Sequence, residues 1–378
     1  MSFKKVERYL NENYTIRRNV LNHTIEIKEC DEEEFSNLNE NTLFRTLKNN
    51  KISITMNNLL VLLKSNFVPE FNPLLEYFKS LPAYNPTNEP DYINDLSSYV
   101  NCKEKERWQL NFKKALVRCI ACGLIPSYFN KQAIILMGMN QNIGKTSFIR
   151  FLTPQLLKEY ETQGMGISKD DLIKLTTSWM NNLDELDEYS KMEINALKAV
   201  LSTERVNIRK PYDRVSTLSD RITNFWGTSN KLDFLTDPTG NVRWICFEVD
   251  SIDFKYLTEI NINKVWGQAW YLFNNGFEYS LTKEEVQQNE YANKSNIKIT
   301  VEIEMIQKHI IKGGVSDVFA TASDILKILQ NSDPLLCSHL TNERIGKALI
   351  TLGFERGQEY MKEKGFQLKG YYIKNTLT

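Results

Sequence analysis

The sequence predicts a mixed α/β fold: a parallel sheet with helices on both faces in the middle of the chain, a mostly helical region before it and a smaller domain after it. Three observations predict this. The apolar run Ala133-Ile134-Ile135-Leu136 passes directly into Met137-Gly138-Met139-Asn140-Gln141-Asn142-Ile143-Gly144-Lys145-Thr146 and then a helical pattern. From about residue 131 to 280, strand-like and helix-like segments alternate, as in a parallel sheet built from crossover units. The polar stretch from Lys283 to Asn296 then sets off a C-terminal region. Domains are expected at 1–130, 131–282 and 297–378.

Composition narrows the classes. The chain has 378 residues, 42% hydrophobic and 25% charged, which is ordinary for a water-soluble protein and long enough for two or three domains. No apolar run approaches the length of a membrane span, and the start, MSFKKVERYLNENY, lacks the apolar core of a signal peptide, so a cytoplasmic protein without a membrane partner is expected. Lysine plus arginine and aspartate plus glutamate both number 47, so no global basic field draws the chain to nucleic acid and any such contact must be local. The three histidines, His23, His309 and His339, are scattered and leave a zinc protease or a histidine triad little to build on. Cys119 and Cys122 form a CxxC inside the apolar stretch FKKALVRCIACGLI, with no second pair or nearby histidine, and read as buried helix neighbours.

Taken in order, residues 1 to about 50 read as strands and loops, with a hairpin in TIRRNVLNHTIEIKE followed by the acidic run Asp31–Glu34. Residues 57–130 turn helical, interrupted by a loop from Leu81 to Tyr92 that holds three prolines. Next comes the segment with the most chemical content. A strand that ends in a tight turn and opens a helix points several backbone N–H groups at an anion, so this stretch reads as a phosphate-binding loop. Lys145 would reach the β and γ phosphates and the Thr146 hydroxyl would hold Mg²⁺. The strict pattern requires glycine at position 139, where the chain has Met139, with Gly138 one residue early; the loop closes if Asn140 or Asn142 accepts positive φ.

Downstream, Ser168–Asp171 is a capping box for a short helix ending near Leu175, which leaves Thr176–Leu183 as a strand. The strand leads to Asp184, a candidate for the metal shell, and Glu185, a candidate for orienting or deprotonating water. The segment Ile222–Asn230 would place Asn230 beside a γ phosphate. Arg243 opens the apolar strand WICFEV and is a candidate finger for a neighbouring subunit's site. Two windows are locally basic, Arg205–Arg214 at net +3 and Arg344–Thr378 at net +4. Near the end, Thr321–Asp324 caps a helix, Thr341 begins another that Gly353 stops, and two short strands around Lys364-Gly365 follow, the pattern of a winged helix-like domain. Its second helix would present Arg344 and Lys347 to a duplex, with Lys362 and Lys364 on the wing.

The succession NIGKTSF, WMNNLDEL, LKAVLSTERVNIRKPYDR, NFWGTSN and FLTDPTGNVRW resembles the virulence-associated protein E family, whose ATPase domain is similar to superfamily 3 helicases of the AAA+ class. The resemblance covers about Lys131 to Gly276, and more loosely the front and tail of the Bacteroides-type members. It implies a nucleotide-hydrolysing AAA+ P-loop domain that uses ATP and Mg²⁺. Gly138, Asn142, Gly144, Lys145 and Thr146 would form the phosphate loop, Asp184 and Glu185 the second acidic motif, Asn230 the polar sensor and Arg243 the arginine finger, with Arg221 as a second candidate for that role in trans. The segment Leu197–Arg214 would form a hairpin in a central channel, where Arg209, Lys210 and Arg214 grip the phosphates of single-stranded DNA and Tyr212 stacks on a base. Six such subunits in a ring converge a few basic groups on one axis, which reconciles strand binding with a neutral chain. The sequence departs from the family at Met139 and at Val242, where relatives often carry a second arginine.

The expected function is therefore an ATP-driven motor on single-stranded DNA, a helicase for replicating a mobile genetic element (a prophage, satellite or genomic island), with a primase or other replication proteins as partners. The alternative is a nucleotide-switched initiator or regulator that binds DNA or protein without unwinding. A small-molecule kinase using the same loop is disfavoured by the sensor asparagine and finger arginine, a pair suited to hydrolysis between subunits.

Overall fold

The chain opens with an amphipathic helix, α1 (Phe3–Asn13), whose Val6 and Leu10 lie one turn apart and are both buried. This corrects the reading of residues 1–50 as strands and loops: two apolar residues per face suffice for a helix once a sheet lies against it. The sheet is β1 (Tyr14–Asn19), β2 (Ile25–Glu29), β3 (Ser36–Asn37) and, from further on, β4 (Glu70–Phe71), in the order β3-β2-β1-β4. The expected hairpin is its centre, with Tyr14 paired antiparallel to Glu29. Helices α2 (Glu40–Asn49) and α3 (Met56–Lys64) complete this region, each started by a side-chain cap, Asn39 and Thr55.

The computed structural model describes residues 3–140, 142–208, 216–231, 241–294, 301–361 and 366–374. These divide into two units, one within Met1–Leu232 and Gly240–Asn293 and the other within Lys294–Thr378. No helix among the described residues is long and apolar enough to cross a membrane.

The rest of the first unit runs through α4 (Pro73–Ser80), α5 (Tyr92–Ser98), β5 (Val100–Cys102), α6 (Lys105–Leu124), β6 (Ala133–Met137), α7 (Lys145–Phe151), β7 (Glu161–Gln163), α8 (Lys169–Thr177), β8 (Met180–Leu183), α9 (Lys191–Leu201), β9 (Arg205–Ile208), β10 (Thr217–Asp220), β11 (Asn224–Ser229), β12 (Trp244–Ile252), α10 (Tyr256–Glu259), α11 (Ile262–Asn274) and α12 (Lys283–Lys294). Six strands make one sheet in the order β5-β12-β6-β11-β8-β7. All neighbours from β12 to β7 are parallel, and β5 is antiparallel at the edge. Every residue of β6, β8 and β11 is buried, the mark of strands covered on both faces. On one face Ile134, Leu136, Trp226 and Phe247 share a core with Trp108, Trp179 and Trp266 and with α4, α5 and α6, so the front region and the sheet fold around common residues. Each such aromatic contributes about 2–3 kcal/mol by burial. Cys119 and Cys122 lie buried in α6, as expected from the sequence, and burial pushes the Cys119 thiol up to about 12.

Two further elements differ from expectation. The helix α8 runs on to Thr177, where the Ser178 N–H still bonds to the Lys174 carbonyl, so the strand after it starts only at Met180. The polar stretch after Lys283 is a helix, α12, anchored by polar contacts: Lys114 donates to Glu285 at 2.8 Å, Asn111 and Asn289 bond through their amides, and Asn293 donates to the Trp244 carbonyl. Its buried face is amide rather than aliphatic, which leaves no apolar period to read.

The second unit contains α13 (Val301–His309), β13 (Ile311–Lys312), β14 (Val318–Ala320), α14 (Ala322–Ser332), α15 (Pro334–Cys337), α16 (Asn342–Thr351), β15 (Arg356–Met361) and β16 (Phe366–Lys374). Thr321 and Asp324 form the expected capping box, and Gly353 takes φ +75° after α16. Strands β15 and β16 pair antiparallel from Arg356↔Tyr371 to Met361↔Phe366. On α16, Arg344 is salt-bridged to the buried Glu302, and Lys347 donates to Glu343 at 2.6 Å. Both cations expected to face a duplex thus have an acidic partner within the unit, and both stay largely exposed. Lys362 and Lys364 lie outside the described residues.

Candidate phosphate-binding site

The cleft forms where three adjacent parallel strands end together. The chain leaves β6 at Met137, β11 at Ser229 and β8 at Leu183, and the registers Leu136↔Thr228 and Gly227↔Leu183 bring their C-terminal ends level. Ligands in open parallel sheets bind outside such strand ends. The cleft measures about 300 Å³ and is lined by residues 142–147 together with Asp184, Glu185, Thr228, Asn230 and Phe254.

After β6 the loop must turn sharply, and its conformation follows from sequence. Asn142 takes φ +61°, the left-handed asparagine the loop length requires, and Gly144 takes φ +93° at the start of α7. Gly144 is needed for a second reason: a Cβ there would lie 2.6 Å from Cζ of Phe254. Gly138 approaches the Val249 carbonyl so closely that a Cβ would lie 2.7 Å from it. Met139 stands clear of the cleft, 75% exposed, and does not plug it.

Lys145 is buried at the base of the cleft. Its ammonium donates to the Gly138 carbonyl at 3.0 Å, the Asn140 carbonyl at 3.3 Å and Oδ1 of Asn230 at 3.1 Å, which uses all three of its hydrogens. Burial pushes its pKa down, while the Asp187 and Asp184 carboxylates push it back up. Beside it, the Thr146 hydroxyl donates to Oδ1 of Asp184 at 2.7 Å. Thr228 donates to that same oxygen, and Gln163 to the other at 3.3 Å. Glu185, the next residue, is exposed and takes φ +51°, with its N–H bonded to the Thr228 hydroxyl at 3.1 Å. Lys145, Thr146, Asp184, Glu185 and Asn230 are therefore gathered in one place.

Three supporting residues carry little signal in the sequence. Asp187 accepts from the Asn230 N–H at 2.8 Å and from the Ser229 hydroxyl at 3.3 Å, which holds the turn that aims Asn230. Thr228 ties β11 to the acidic pair, and Gln163 does so from β7. Asp187 stands three residues past Asp184 and Thr228 two before Asn230, spacings that mark them only after the strands are placed.

Arg243 lies elsewhere. It immediately precedes Trp244, which pairs with Ala133 at the start of β6, so it sits at the end of the sheet opposite the loop, roughly 13 Å away along the strand direction. Its Nε donates to the Ser202 hydroxyl at 2.6 Å. Arg221 is excluded as a finger: it is 0% exposed and its guanidinium donates to the carbonyls of Val200, Leu201 and Asn130, with burial pushing its pKa down to about 10. The sequence presented it as a charged residue before a strand and held no sign of these carbonyls. Strands β9 and β10 pair antiparallel, Ile208 with Thr217; the hairpin expected over Leu197–Arg214 is corrected at its start, because Leu197–Leu201 are the end of α9, and the second strand lies past Arg214. Arg209, Lys210, Tyr212 and Arg214 lie outside the described residues.

Residues 84–298 match the virulence-associated protein E-like domain. No curated protein matches the chain. Among solved structures, an apo structure of the NrS-1 C terminal region is similar, with TM-score 0.53, 12% identity, and coverage of 97% of this chain and 98% of that one. A second apo structure of that region, described as its A form, has TM-score 0.51 and 13% identity over the same shares. These likenesses show a common mixed α/β fold.

Proposed function

Because this chain belongs to the virulence-associated protein E-like domain family, we propose that it is an AAA+ P-loop ATPase similar to superfamily 3 helicases, which hydrolyses ATP to move along single-stranded DNA in the replication of a mobile genetic element. The observation that carries the proposal is the convergence of Lys145, Thr146, Asp184 and Asn230 from three neighbouring strands into one cleft. The strand order β12-β6-β11-β8-β7, with the loop leaving the strand between β12 and β11, supports the same reading.

The residues fit Mg²⁺ with a triphosphate. Among the described residues no group of three or more acidic, histidine or cysteine side chains forms a cage, whereas Mg²⁺ is commonly held by one or two protein ligands with phosphates and water supplying the rest. Thr146 and Asp184, already in contact, would be those ligands. When bound, the ion would supply positive charge that offsets the negative charge developing on the phosphates. Lys145 would give its ammonium hydrogens to phosphate oxygens in place of the carbonyls it now bonds. Glu185, exposed at the cleft, would accept the proton of the attacking water. Asn230, held by Asp187, would position that water against the terminal phosphate. Arg243, across the sheet from its own loop, would act on the cleft of a neighbouring copy in a ring.

Two experiments separate the motor from a nucleotide switch. Hydrolysis by the full chain should rise with single-stranded DNA. Arg209→Ala with Lys210→Ala should weaken strand binding and lower the slope of log affinity against log salt by roughly 1.4, two phosphate contacts at about 0.7 each. A basal rate indifferent to DNA, with strand affinity unchanged in the double variant, favours the switch. For the finger, Arg243→Ala should slow turnover by about 10³-fold or more while nucleotide affinity holds. Mixing Arg243→Ala with Lys145→Ala chains should restore part of the activity, since each supplies what the other lacks. If mixing restores nothing and affinity also falls, Arg243 does not act in trans.

A further inference from the structure

The proposed machinery lies to one side of the phosphate loop. Asp184 and Glu185 follow β8 and Asn230 follows β11, whereas on the other side of β6 the next strand is β12. A triphosphate whose terminal phosphate lies by Asn230 and Asp184 has its nucleoside end directed toward β12. The residue waiting there is Phe254, just past the end of β12 and in the lining of the same cleft.

Phe254 is 47% exposed, unusual for a ring so close to a well-packed core. Its position is fixed from behind. The ring lies nearly parallel to that of Tyr256, at 24° with centroids 6.4 Å apart. Tyr256 is fully buried, edge-on against Phe148 at 5.4 Å and Phe151 at 4.9 Å. Both phenylalanines belong to α7, the helix that Lys145 begins. The Asp253 N–H bonds to the Tyr99 carbonyl, and the Lys255 N–H to the Asp253 side chain, so the turn carrying the ring is also tied. The ring touches the loop at Gly144, where no side chain intervenes.

We propose that Phe254 is the base-stacking seat of the nucleotide site, a residue that sets affinity for the nucleoside part of the substrate. The proposal rests on the nucleotide-hydrolysing reading above and extends it to the base. A phenyl ring offers a flat apolar face and no hydrogen bond, so it favours purines over pyrimidines by stacking area and does not tell adenine from guanine.

The test is equilibrium titration of the full chain with Mg²⁺-ATP and with Mg²⁺-tripolyphosphate, which has the phosphates but no base. Phe254→Ala should bind ATP roughly 10-fold or more weakly while tripolyphosphate affinity is unchanged, and Phe254→Trp should keep ATP affinity. Equal weakening of both ligands in Phe254→Ala means the ring only shapes the loop through Gly144 and overturns the proposal, as does unchanged ATP affinity. Wild-type chain that binds neither ligand removes the nucleotide reading itself, and the base seat with it.

Discussion

Lys145→Ala is expected to reduce ATP turnover by about 10²–10³-fold or more, the usual consequence of deleting a preorganised donor to developing phosphate charge. The side chain is placed for this before any ligand arrives. Its three hydrogens meet three oxygens, those of Gly138, Asn140 and Asn230, around one point at the base of the cleft. Burial has already removed much of its hydration, so phosphate binding exchanges protein acceptors for phosphate acceptors instead of stripping water. The variant should fold, because of the acceptors it abandons Asn230 lines the open cleft and Asn140 is exposed, and its melting temperature should stay within a few degrees of wild type. Steady-state hydrolysis and calorimetric binding check both parts. Turnover that survives the substitution would remove Lys145 from the phosphate site.

Glu185→Gln should leave ATP binding intact and slow the chemical step by about 10²–10⁴-fold, the range a positioned general base supplies. The two neighbouring acidic residues are separated by environment. Asp184 is engaged by three side-chain donors, Thr146, Thr228 and Gln163, and on the proposed reading would hold the metal. Glu185 swings to the exposed side because the backbone there is left-handed, φ +51°, with its N–H pinned by Thr228. Glutamine keeps the shape and loses the ability to take a proton. Single-turnover hydrolysis alongside equilibrium binding tests this directly. A normal rate would shift the role of base away from Glu185, and a loss of binding would mean that it holds the metal instead.

Where pattern and local chemistry coincide, the sequence was a good guide. The left-handed asparagine in the loop, the capping boxes at Ser168 and Thr321 and the central hairpin of the first sheet depend on neighbours a few residues apart, and all are present. Where burial depends on distant partners, it was a poor one. Helix α12 reads as a polar linker because its buried face is built of asparagines and a glutamate that find Asn111, Lys114 and the Trp244 carbonyl far away in sequence. Arg221 reads as a candidate finger by resemblance, because its three carbonyl acceptors come from two other segments, which the sequence does not show. The tertiary structure also joined the front region to the sheet through one aromatic core, which no boundary in composition foretells.

From the sequence alone came the identities of the groups that meet in the cleft, Lys145, Thr146, Asp184, Glu185 and Asn230, because each stands at or just after a turn that ends a strand, and such turns are marked locally by glycine, asparagine and acidic residues. Only the tertiary structure decided which of them touch, that Asp187, Thr228 and Gln163 hold them in place, that Arg243 faces away and that Phe254 borders the loop. The reason is the order of strands. Parallel neighbours are brought together by crossovers of many residues, so adjacency in the sheet is set by packing of the whole core and leaves no mark in the spacing along the chain.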